Sequence, residues 1–463
     1  MDMERYLWKP KAKPIMRQGR YEQYNLTENP FPSSPIVIPE SNDPRINGSI
    51  YEPSIRQTEY DKISRNFLQV PLNDPNHLRL GYIVDTSYVG RGSGGSAFVV
   101  DLQRKINQDF GLSVSQGLNK CFAIILTPES SGKTKTFDSF VHLLAAAIFR
   151  SNIIEDALTT LHLEAILALD DNFDVKEHFE DEDELRNNLK SGEWYVETGI
   201  DLGKVNQKIL ASPFLQSLPR DFPLSASRTL WPQVASQESF LEYYQDLRRG
   251  DPRTDFVFSH LVSLFMAAGF NGAYVFVDSF ERIPMFQSER QRRDFARGLR
   301  TCLFDGLYTS ARAGFYTFML VLHAGVPRLV QSAWDASGLE HRAPIFYQGG
   351  TPKHLIRFEK MTPEHARSLL QTYLKEYRIT PTDSDSLAPF TEDAVAQISG
   401  SSDLNASKIL KMAYEILERA VDQNVSQIDV DFVLGDNEAI SPEQKQSGGV
   451  QDDSTKDLMK EAQ

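Results

Sequence analysis

A glycine-rich loop is the first segment of the sequence whose residue types suit chemistry. Residues 89–96 have the sequence VGRGSGGS and lie between an apolar run and a helical pattern. Glycines allow consecutive backbone N–H groups to point into one concavity, and the following helix adds the positive end of its dipole, so such a loop can hold phosphate. The sequence therefore predicts a nucleotide cradle, and the alternative is a tight structural turn that binds nothing.

This glycine loop departs from the phosphate-loop pattern G-x-x-x-x-G-K-[ST] at two positions. The pattern requires a glycine where the chain has Val89 and a lysine where it has Gly95, whereas Ser96 keeps the hydroxyl that approaches a magnesium ion. A cradle of this kind would hold the phosphate of a nucleotide, with Mg²⁺ at the Ser96 hydroxyl. The candidate cofactor-binding residues are Gly90, Arg91, Gly92, Ser93, Gly94, Gly95, Ser96 and Ala97.

A second loop, residues 127–134, competes for the same role. Its sequence TPESSGKT ends in Gly132, Lys133 and Thr134, as a phosphate loop does, but it lacks the opening glycine. Pro128 has no N–H, and a single glycine leaves few positions that tolerate a positive φ, so a backbone cradle is harder to form here. The second loop is the alternative phosphate site, and its other interpretation is an ordinary capped helix start after an edge strand.

An aspartate closes the apolar run GAYVFV at 272–277. In a sheet that hydrolyses nucleotides, a carboxylate at the end of such a strand orders magnesium through water, so Asp278 and Ser96 are the candidate metal-site residues. The next position, where a glutamate would polarise the attacking water, is Ser279, and Glu281 follows two residues later. We therefore include Glu281 with Asp278 among the candidate catalytic residues.

Strand and helix patterns alternate around these residues. Helical patterns follow most of the apolar, strand-like runs. Such alternation predicts an α/β fold with a parallel sheet that helices cover on both faces. The strand-like runs are 80–86, 120–126, 273–277, 316–322 and 354–358.

Composition along the chain predicts its domains. Residues 1–50 are rich in proline, asparagine and serine, and after 358 the pattern becomes helical only, with Thr362 and Thr391 as helix caps. The predicted parts are an extended N-terminal arm at 1–50, an α/β nucleotide-binding domain at 51–355 with a helical insertion at about 170–250, a helical lid at 356–435, and a disordered tail at 436–463.

Overall composition excludes several classes of protein. The chain has 463 residues, a net charge of −14 and two cysteines, Cys121 and Cys302. These values exclude a disulfide framework and a protein that coats nucleic acid with its whole surface, and they favour a reducing compartment. The first residues lack the apolar core of a signal peptide and no apolar run is long enough to span a bilayer, so we expect a cytoplasmic protein that does not contact membranes.

An arginine-rich helical pattern is the candidate nucleic-acid surface. Within residues 288–300, SERQRRDFARGLR, arginines recur at spacings of three and four and therefore share one helix face, which can track phosphates. The other interpretation is a solvated face whose charges pair with Glu289, Asp294 and Asp305. The candidate nucleic-acid-binding residues are Arg290, Arg293, Arg297 and Arg300.

The chain contains, in this order, NPF at 29–31, IRQTEYDKI, GRGSGGS, VFVDSFERI, LVLHAGVPRL, LIRFEKMTPEHARSLLQTYL and PFTEDAVAQIS. Together these segments resemble AAA+ P-loop ATPases of the origin-recognition and STAND-like branches, over about residues 28–435. The resemblance implies ATP held between the large domain and the lid, with neighbouring subunits completing the site. It implies that the glycine loop holds the phosphate, because the second strand lies toward the sheet edge. It also implies that His323 is the polar sensor and Arg312 an arginine finger.

Three positions depart from the pattern of that family. They are the lysine, replaced by Gly95, the catalytic glutamate, replaced by Ser279, and the lid arginine, for which Lys408 is a poor substitute. Because preorganised charge is the main contribution of a phosphoryl-transfer site, these departures predict weak or absent hydrolysis.

The predicted function is that of an AAA+ type nucleotide-binding subunit that regulates or scaffolds a homo- or hetero-oligomer. An example of such an oligomer is prokaryotic defence or mobile-element machinery that acts on nucleic acid. One alternative is an active ATPase that uses either loop. The other is a protein-interaction module, without nucleotide, on an inherited AAA+ fold.

Overall fold

A five-stranded sheet carries the fold, and every strand is parallel to its neighbours. Its strands are β1 (Leu80–Asp85), β2 (Cys121–Leu126), β3 (Gly272–Val277), β4 (Tyr316–His323) and β5 (Leu355–Phe358). The strand order is β2-β3-β4-β1-β5. The α/β class and the parallel sheet predicted from the apolar runs are therefore confirmed.

The computed structural model describes residues 19–85, 92–226, 232–323, 325–345, 352–381 and 386–435. Gly90, Arg91 and the tail predicted at 436–463 lie outside the described residues. The glycine loop is thus described from Gly92 onward.

The central strands β3 and β4 are largely apolar because both faces of the sheet are covered there, whereas the edge strand β5 exposes Arg357. All six residues of β3 are buried, and so are the first seven of β4. β2 lies at one edge of the sheet and β5 at the other, with β3 and β4 between β2 and β1. The second strand is therefore far from β1, at about three strand spacings of 4.8 Å.

The connections from β1 and from β4 run in opposite directions across the sheet. The chain passes from β1 across β4 and β3 to β2, and later from β4 across β1 to β5. Since such crossovers are right-handed, the two connections lie on opposite faces and open a crevice at the carboxyl ends of β1 and β4. Ligands of open parallel sheets bind at such a point, so a site is expected there.

Helices connect the strands, and the described residues of the predicted insertion at 170–250 form no strand. Short 3-10 or π-helical segments are Pro53–Arg56, Ser64–Leu68, Pro213–Leu215, Phe256–His260, Phe280–Arg282 and Pro284–Phe286. The α-helices up to β5 are Gln57–Ile63, Gly95–Asn107, Phe137–Arg150, Ile153–Leu169, Val175–His178, Glu182–Lys190, Gly192–Thr198, Leu202–Leu210, Pro223–Ala226, Gln237–Asp246, Asp251–Asp255, Leu261–Ala267, Glu289–Leu303, Thr309–Ala313 and Val326–Ser337.

No single helix in the described ranges has both the length and the apolar character needed to cross a membrane. Two consecutive helices, Phe137–Arg150 and Ile153–Leu169, meet the length and composition criteria only as a pair bent by 55°. Both contribute buried side chains to the main hydrophobic core.

The chain divides into two compact units. Among the described residues, the larger unit comprises 56–85 and 95–359 and includes the sheet, and the smaller unit comprises 19–55, 92–94 and 360–435. Helices of the smaller unit are Glu22–Tyr24, Pro363–Glu376, Glu392–Ser401, Ala406–Asp422 and Val430–Leu434.

The extended arm was predicted at 1–50, and its residues 1–18 lie outside the described residues. Its described part, residues 19–50, shares a hydrophobic core with the helical lid. Tyr21 and Phe31 are buried in that core together with Leu417. The Glu418 carboxylate accepts hydrogen bonds from the Tyr21 hydroxyl and, at 2.9 Å, from Nδ2 of Asn29. The arm and the lid are therefore parts of one folded unit.

Two buried histidines make the stability of the larger unit depend on pH. Burial lowers the pKa of His77 and the pKa of His162 to about 4, from an ordinary value of 6.5. Between these values the unfolded chain binds more protons than the folded chain, so acid favours unfolding. We expect the free energy of unfolding to fall by about 2–3 kcal/mol between pH 7.5 and 5.5 from these two groups.

Urea denaturation at the two pH values measures this change. The variant His162→Gln removes one of the two groups and should reduce the fall by about 1 kcal/mol. The exposed His178 provides the matched control, since His178→Gln makes the same substitution outside the core. An unreduced fall in the His162→Gln protein would contradict this account.

Candidate functional site

Ser96 and Asp278 meet at the carboxyl edge of the sheet. The Ser96 hydroxyl donates a hydrogen bond of 2.7 Å to Oδ2 of Asp278, across 182 positions of sequence. Ser96 is the second residue of the helix Gly95–Asn107, which follows β1, and Asp278 comes directly after β3. The structure thus brings together the two residues that the sequence analysis placed at a metal site.

Backbone geometry fixes Asp278 at this edge. Its N–H donates to the carbonyl of Leu126 at 2.8 Å, which extends the pairing of β2 and β3 by one bond. Ser279 then adopts a φ of +53°, in the left-handed region that side chains disfavour. This turn leads into the 3-10 helix Phe280–Arg282. Strain of this kind persists where the surroundings enforce it, and such residues cluster at functional sites.

The turn brings Glu281 back to the sheet beside His323. Nε2 of His323, the last residue of β4, lies 3.2 Å from Oε1 of Glu281. The Glu281 side chain is only 4% exposed, whereas that of His323 is 33% exposed. Ser96 with Asp278 and Glu281 with His323 are thus two contacting pairs at the ends of β3 and β4, and we call these four residues the polar cluster.

The Asp278 carboxyl group lies in an environment that opposes its negative charge. Burial raises the pKa of Asp278 above its ordinary value, the hydrogen bond from Ser96 opposes that rise, and the charge of Glu281 adds to it. Two carboxyl groups in one buried cluster favour the approach of a cation, since a positive charge stabilises the ionised form.

The hydroxyl and carboxylate oxygens of this cluster fit a magnesium ion. In the parts of the chain that the structure describes, no group of three or more His, Cys, Asp or Glu side chains could hold a metal. Mg²⁺ commonly takes one or two protein oxygens and completes its octahedron with water and substrate phosphates. The pair Ser96 and Asp278 is therefore suited to a magnesium ion that binds together with a nucleotide.

The described part of the glycine loop has the backbone conformations that only glycine adopts easily. Gly92 has a φ of +117°, and a Cβ at this position would lie 2.6 Å from Oδ1 of Asn405. The Gly92 carbonyl accepts a hydrogen bond of 3.1 Å from the N–H of Ser407, at the start of the helix Ala406–Asp422. Glycine at 92 is thus required by this close packing within the smaller unit.

Gly95, where the phosphate-loop pattern has lysine, is different. It begins the helix Gly95–Asn107 and is absent from the described residues with positive φ. A Cβ at this position would lie 3.5 Å from Phe358 and 3.8 Å from Val321, which is ordinary van der Waals contact. The backbone therefore accepts a side chain at 95, the position at which the phosphate-loop pattern has lysine.

The second loop lies after the edge strand β2, and its lysine side chain is exposed to solvent. Lys133 is 74% exposed and forms an ion pair of 3.0 Å with Glu129. The following helix begins only at Phe137, where Thr136 accepts a hydrogen bond from the N–H of Ser139 in a capping box. Gly132, Lys133 and Thr134 are thus separated from the helix N-terminus, in keeping with a capped helix start after an edge strand.

Replacing Lys133 by alanine should leave the binding of Mg²⁺–ATP within about twofold of wild type, because Lys133 is exposed and pairs with Glu129. Loss of that pair should also change the stability of the fold little, since an exposed ion pair contributes only about 0–1 kcal/mol. Calorimetric titration of the full chain measures this. A loss of binding in Lys133→Ala would move the phosphate site to the second loop.

Arg312 and His323 lie at opposite ends of β4. Arg312 is exposed before the strand begins, and it donates hydrogen bonds to the carbonyls of Gly306 and Leu307 at 3.3 and 2.9 Å. The structure therefore does not bring this candidate arginine finger to the cluster of its own chain. Lys408, the candidate substitute for the lid arginine, pairs with Asp403 at 3.1 Å.

The arginine helix, Glu289–Leu303, presents a partly neutralised basic face. Arg290 and Arg297 both lie 3.8 Å from Asp294 and are 88% and 66% exposed. Arg300 is held more tightly, by Asp305 at 2.9 Å and by the Ser337 carbonyl at 2.7 Å. The exposed Arg293 has no ion pair within the described ranges. The charges of the stripe are thus partly paired, as the interpretation of a solvated face expects, and Arg300 is a structural residue.

One basic residue near the cluster escaped the sequence analysis. Arg282 ends the turn after Asp278, and its charge acts on the Asp278 carboxyl group by lowering its pKa. The only signal in the sequence is a basic residue four positions after the strand-end aspartate, which by itself is too common to single out.

Comparison of the chain with protein-family models, with curated proteins and with solved structures gives no match in any of the three.

Proposed function

We propose that this protein is an AAA+ type nucleotide-binding subunit that holds Mg²⁺–ATP at the carboxyl edge of its sheet and hydrolyses it weakly or not at all. The observation that carries the proposal is the 2.7 Å hydrogen bond between Ser96 and Asp278. In P-loop NTPases, a loop hydroxyl and a strand-end aspartate together hold the magnesium ion of the nucleotide.

The position of this pair in the fold supports the proposal. The glycine loop follows β1, Asp278 follows β3 and His323 ends β4, so all three border the crevice where the connections of the sheet diverge. The helix that begins at Gly95 is 13 residues long, and the first N–H groups of such a helix, together with the positive end of its dipole, can hold a phosphate.

Weak hydrolysis follows from what the cluster lacks. Gly95 supplies no cation and Ser279 no carboxylate, while the Glu281 carboxylate lies 3.2 Å from Nε2 of His323. Each missing preorganised group costs about 10²–10³ in the rate of the chemical step. A subunit that retains its nucleotide suits a regulator or scaffold in a cytoplasmic oligomer, where bound ATP stabilises one arrangement of the protein partners.

A phosphate-release assay at saturating Mg²⁺–ATP tests this proposal. We expect turnover at least about 100-fold below the 1–100 s⁻¹ that is usual for phosphoryl-transfer enzymes. Rapid turnover that disappears in the Asp278→Ala protein would instead indicate an active ATPase. Rapid turnover that Asp278→Ala leaves unchanged would contradict the site altogether, and a chain that binds no nucleotide would be an interaction module.

Nucleic-acid binding through the arginine helix is a second proposed function. Its observation is a set of three exposed arginines on one helix, of which Arg290 and Arg297 lie 3.8 Å from Asp294 and Arg293 forms no ion pair within the described ranges. If two of them neutralise phosphates, the variant Arg293→Ala/Arg297→Ala should lower the slope of log K against log salt for duplex DNA by about 1.8. Fluorescence anisotropy over a series of salt concentrations measures that slope.

The control for this prediction is a pair of exposed lysines on another helix, Lys204 and Lys208. Their replacement by alanine removes the same formal charge and should leave the slope unchanged. If both double variants lowered the slope equally, DNA binding would depend on the net charge of the protein and not on the arginine helix. Unchanged binding in the arginine variant would contradict the proposed surface.

A further inference from the structure

A buried ion pair joins the start of the helix Gln57–Ile63 to the end of β5. The side chains of Arg56 and Glu59 are only 3% and 2% exposed, and Nη1 of Arg56 lies 3.3 Å from Oε1 of Glu59. Both side chains also bind the backbone of Glu359, the residue that follows β5. Nη1 of Arg56 donates to the Glu359 carbonyl at 2.6 Å, and the Glu359 N–H donates to Oε1 of Glu59 at 2.9 Å.

A buried ion pair is not by itself a source of stability. Taking two charges out of water is costly, and the replacement of such a pair by apolar side chains of similar volume is often neutral or stabilising. Hydrogen-bonded polar groups in an apolar interior do hold their partners in one arrangement. The arrangement that Arg56 and Glu59 hold is the position of the end of β5, since both bind the backbone of Glu359.

Phe358, the last residue of β5, connects this pair to the glycine loop. The guanidinium of Arg56 lies over the Phe358 ring, 4.4 Å from its centroid. The Phe358 ring also meets the ring of Phe98 edge to face, with the two centroids 5.4 Å apart. Phe98 belongs to the first turn of the helix Gly95–Asn107, and a Cβ at Gly95 would lie 3.5 Å from Phe358. The buried pair is therefore one aromatic ring away from the start of this helix.

Phe358 also borders the strand that leads into the glycine loop. In the parallel pairing of β1 with β5, Phe358 lies opposite Asp85, the last residue of β1. Phe358 thus adjoins both the strand that enters the loop and the helix that leaves it. The position of this one residue affects the spacing of the two ends of the loop and the placement of Ser96, the second residue of that helix.

We propose that the ion pair of Arg56 and Glu59 positions the glycine loop for its nucleotide, by holding Phe358 against the start of the helix Gly95–Asn107. This inference rests on the proposed function, because it concerns the same site, and the ligand class is a nucleoside triphosphate with its magnesium ion. Arg56 and Glu59 are positioning residues, which act on the ligand only through Phe358 and the helix start. A binding site requires support of this kind, because its groups must be held within about 0.5 Å of the productive geometry.

The competing role of the pair is to stabilise the fold. The double variant Arg56→Met/Glu59→Leu separates the two roles, because it leaves no buried charge unpaired and keeps much of the apolar volume, so its melting temperature should stay near that of wild type. The matched control is Arg79→Met. Arg79 lies at the opposite end of β1 and donates to the carbonyls of Leu303 and Ala311, so its loss affects stability at a distance from the glycine loop.

Two measurements on the folded full chain, well below its melting temperature, test the inference. In calorimetric titration with ATP and Mg²⁺, the double variant should bind about tenfold more weakly than wild type, as expected when the support of a binding group is lost, and Arg79→Met should bind as wild type does. In the ligand-free chain, amide hydrogen exchange in the first hydrogen-bonded turn of the helix Gly95–Asn107 should be about tenfold faster in the double variant only.

A second variant covers the case in which the double variant does not fold. Phe358→Leu keeps β5 apolar but removes the ring between Arg56 and the helix Gly95–Asn107. The same changes in affinity and in hydrogen exchange are expected of it.

Three outcomes would overturn the inference. If wild-type protein binds Mg²⁺–ATP and the folded double variant binds it equally well, the pair only stabilises the fold. If the double variant and Arg79→Met lose affinity equally, the effect is one of general destabilisation. If wild-type protein binds no Mg²⁺–ATP, the proposed function fails before any substitution is made, and unchanged hydrogen exchange in the double variant would then reject the positioning role by itself.

Discussion

Placing a lysine at Gly95 is expected to tighten the binding of Mg²⁺–ATP by about 10- to 100-fold, the effect of a hydrogen bond to a charged group of 1.5–3 kcal/mol. The gain is expected because this position begins the helix after the glycine loop and a side chain fits there, with its Cβ 3.5 Å from Phe358. Hydrolysis should remain slow, because Ser279 still provides no carboxylate. Calorimetric titration and phosphate release on one sample measure both quantities.

The control is Gly95→Ala, which adds the Cβ and raises helix propensity without adding charge. Its affinity for Mg²⁺–ATP should stay close to that of wild type, and its melting temperature should not fall. Equal gains in the alanine and lysine variants would assign the effect to a stiffer helix start. No gain in a folded Gly95→Lys protein would mean that phosphate is not held at this loop.

Replacing Asp278 by asparagine is expected to remove most of the magnesium dependence of ATP binding. The amide has the shape of the carboxylate and can accept the hydrogen bond from Ser96, but it has no charge for the metal ion. Affinity in the presence of Mg²⁺ should fall by about 10- to 100-fold, whereas affinity in EDTA should change little. The ratio of the two dissociation constants is therefore the measurement.

Asp335, exposed on the helix Val326–Ser337, offers the matched control. Asp335→Asn makes the same change of charge at a distance from the cluster, and it should preserve the magnesium dependence of wild type. If Asp278→Asn lowered both affinities equally, Asp278 would support the fold of the site rather than its metal ion.

The strands were predictable from the sequence because a parallel strand that is covered on both faces must be apolar throughout. The expected run 273–277 differs from β3 by one residue, and the expected run 316–322 ends one residue before His323, whose polar side chain broke the apolar pattern although the residue still pairs in the sheet. Propensity and periodicity locate such elements well, since both act within a few residues of the chain.

The meeting of Ser96 and Asp278 was predictable from the order of segments, because parallel strands align their carboxyl ends. The competition between the two loops was harder to decide. The second loop ends in glycine, lysine and threonine, as the phosphate-loop pattern requires, whereas the glycine loop lacks the lysine. Lys133 nevertheless lies after the edge strand β2 and pairs with Glu129. Strand order depends on contacts between distant segments, which one sequence does not display.

The packing of the N-terminal arm and the surroundings of Arg282 could not be read from local pattern. Tyr21 and Phe31 lie among prolines without helical or strand period, and their partners are residues such as Glu418, almost 400 positions away. Arg282 donates to the carbonyl of Pro128, 154 positions away, a contact that no local pattern indicates.

Calorimetric titration of the wild-type chain with ATP, in Mg²⁺ and in EDTA, tests the central claim most directly. The account predicts one saturable site that is much tighter in Mg²⁺ and that is lost or strongly weakened in Ser96→Ala. Absence of binding in Mg²⁺, or binding that neither EDTA nor Ser96→Ala alters, would contradict a magnesium–nucleotide site at the carboxyl edge of this sheet.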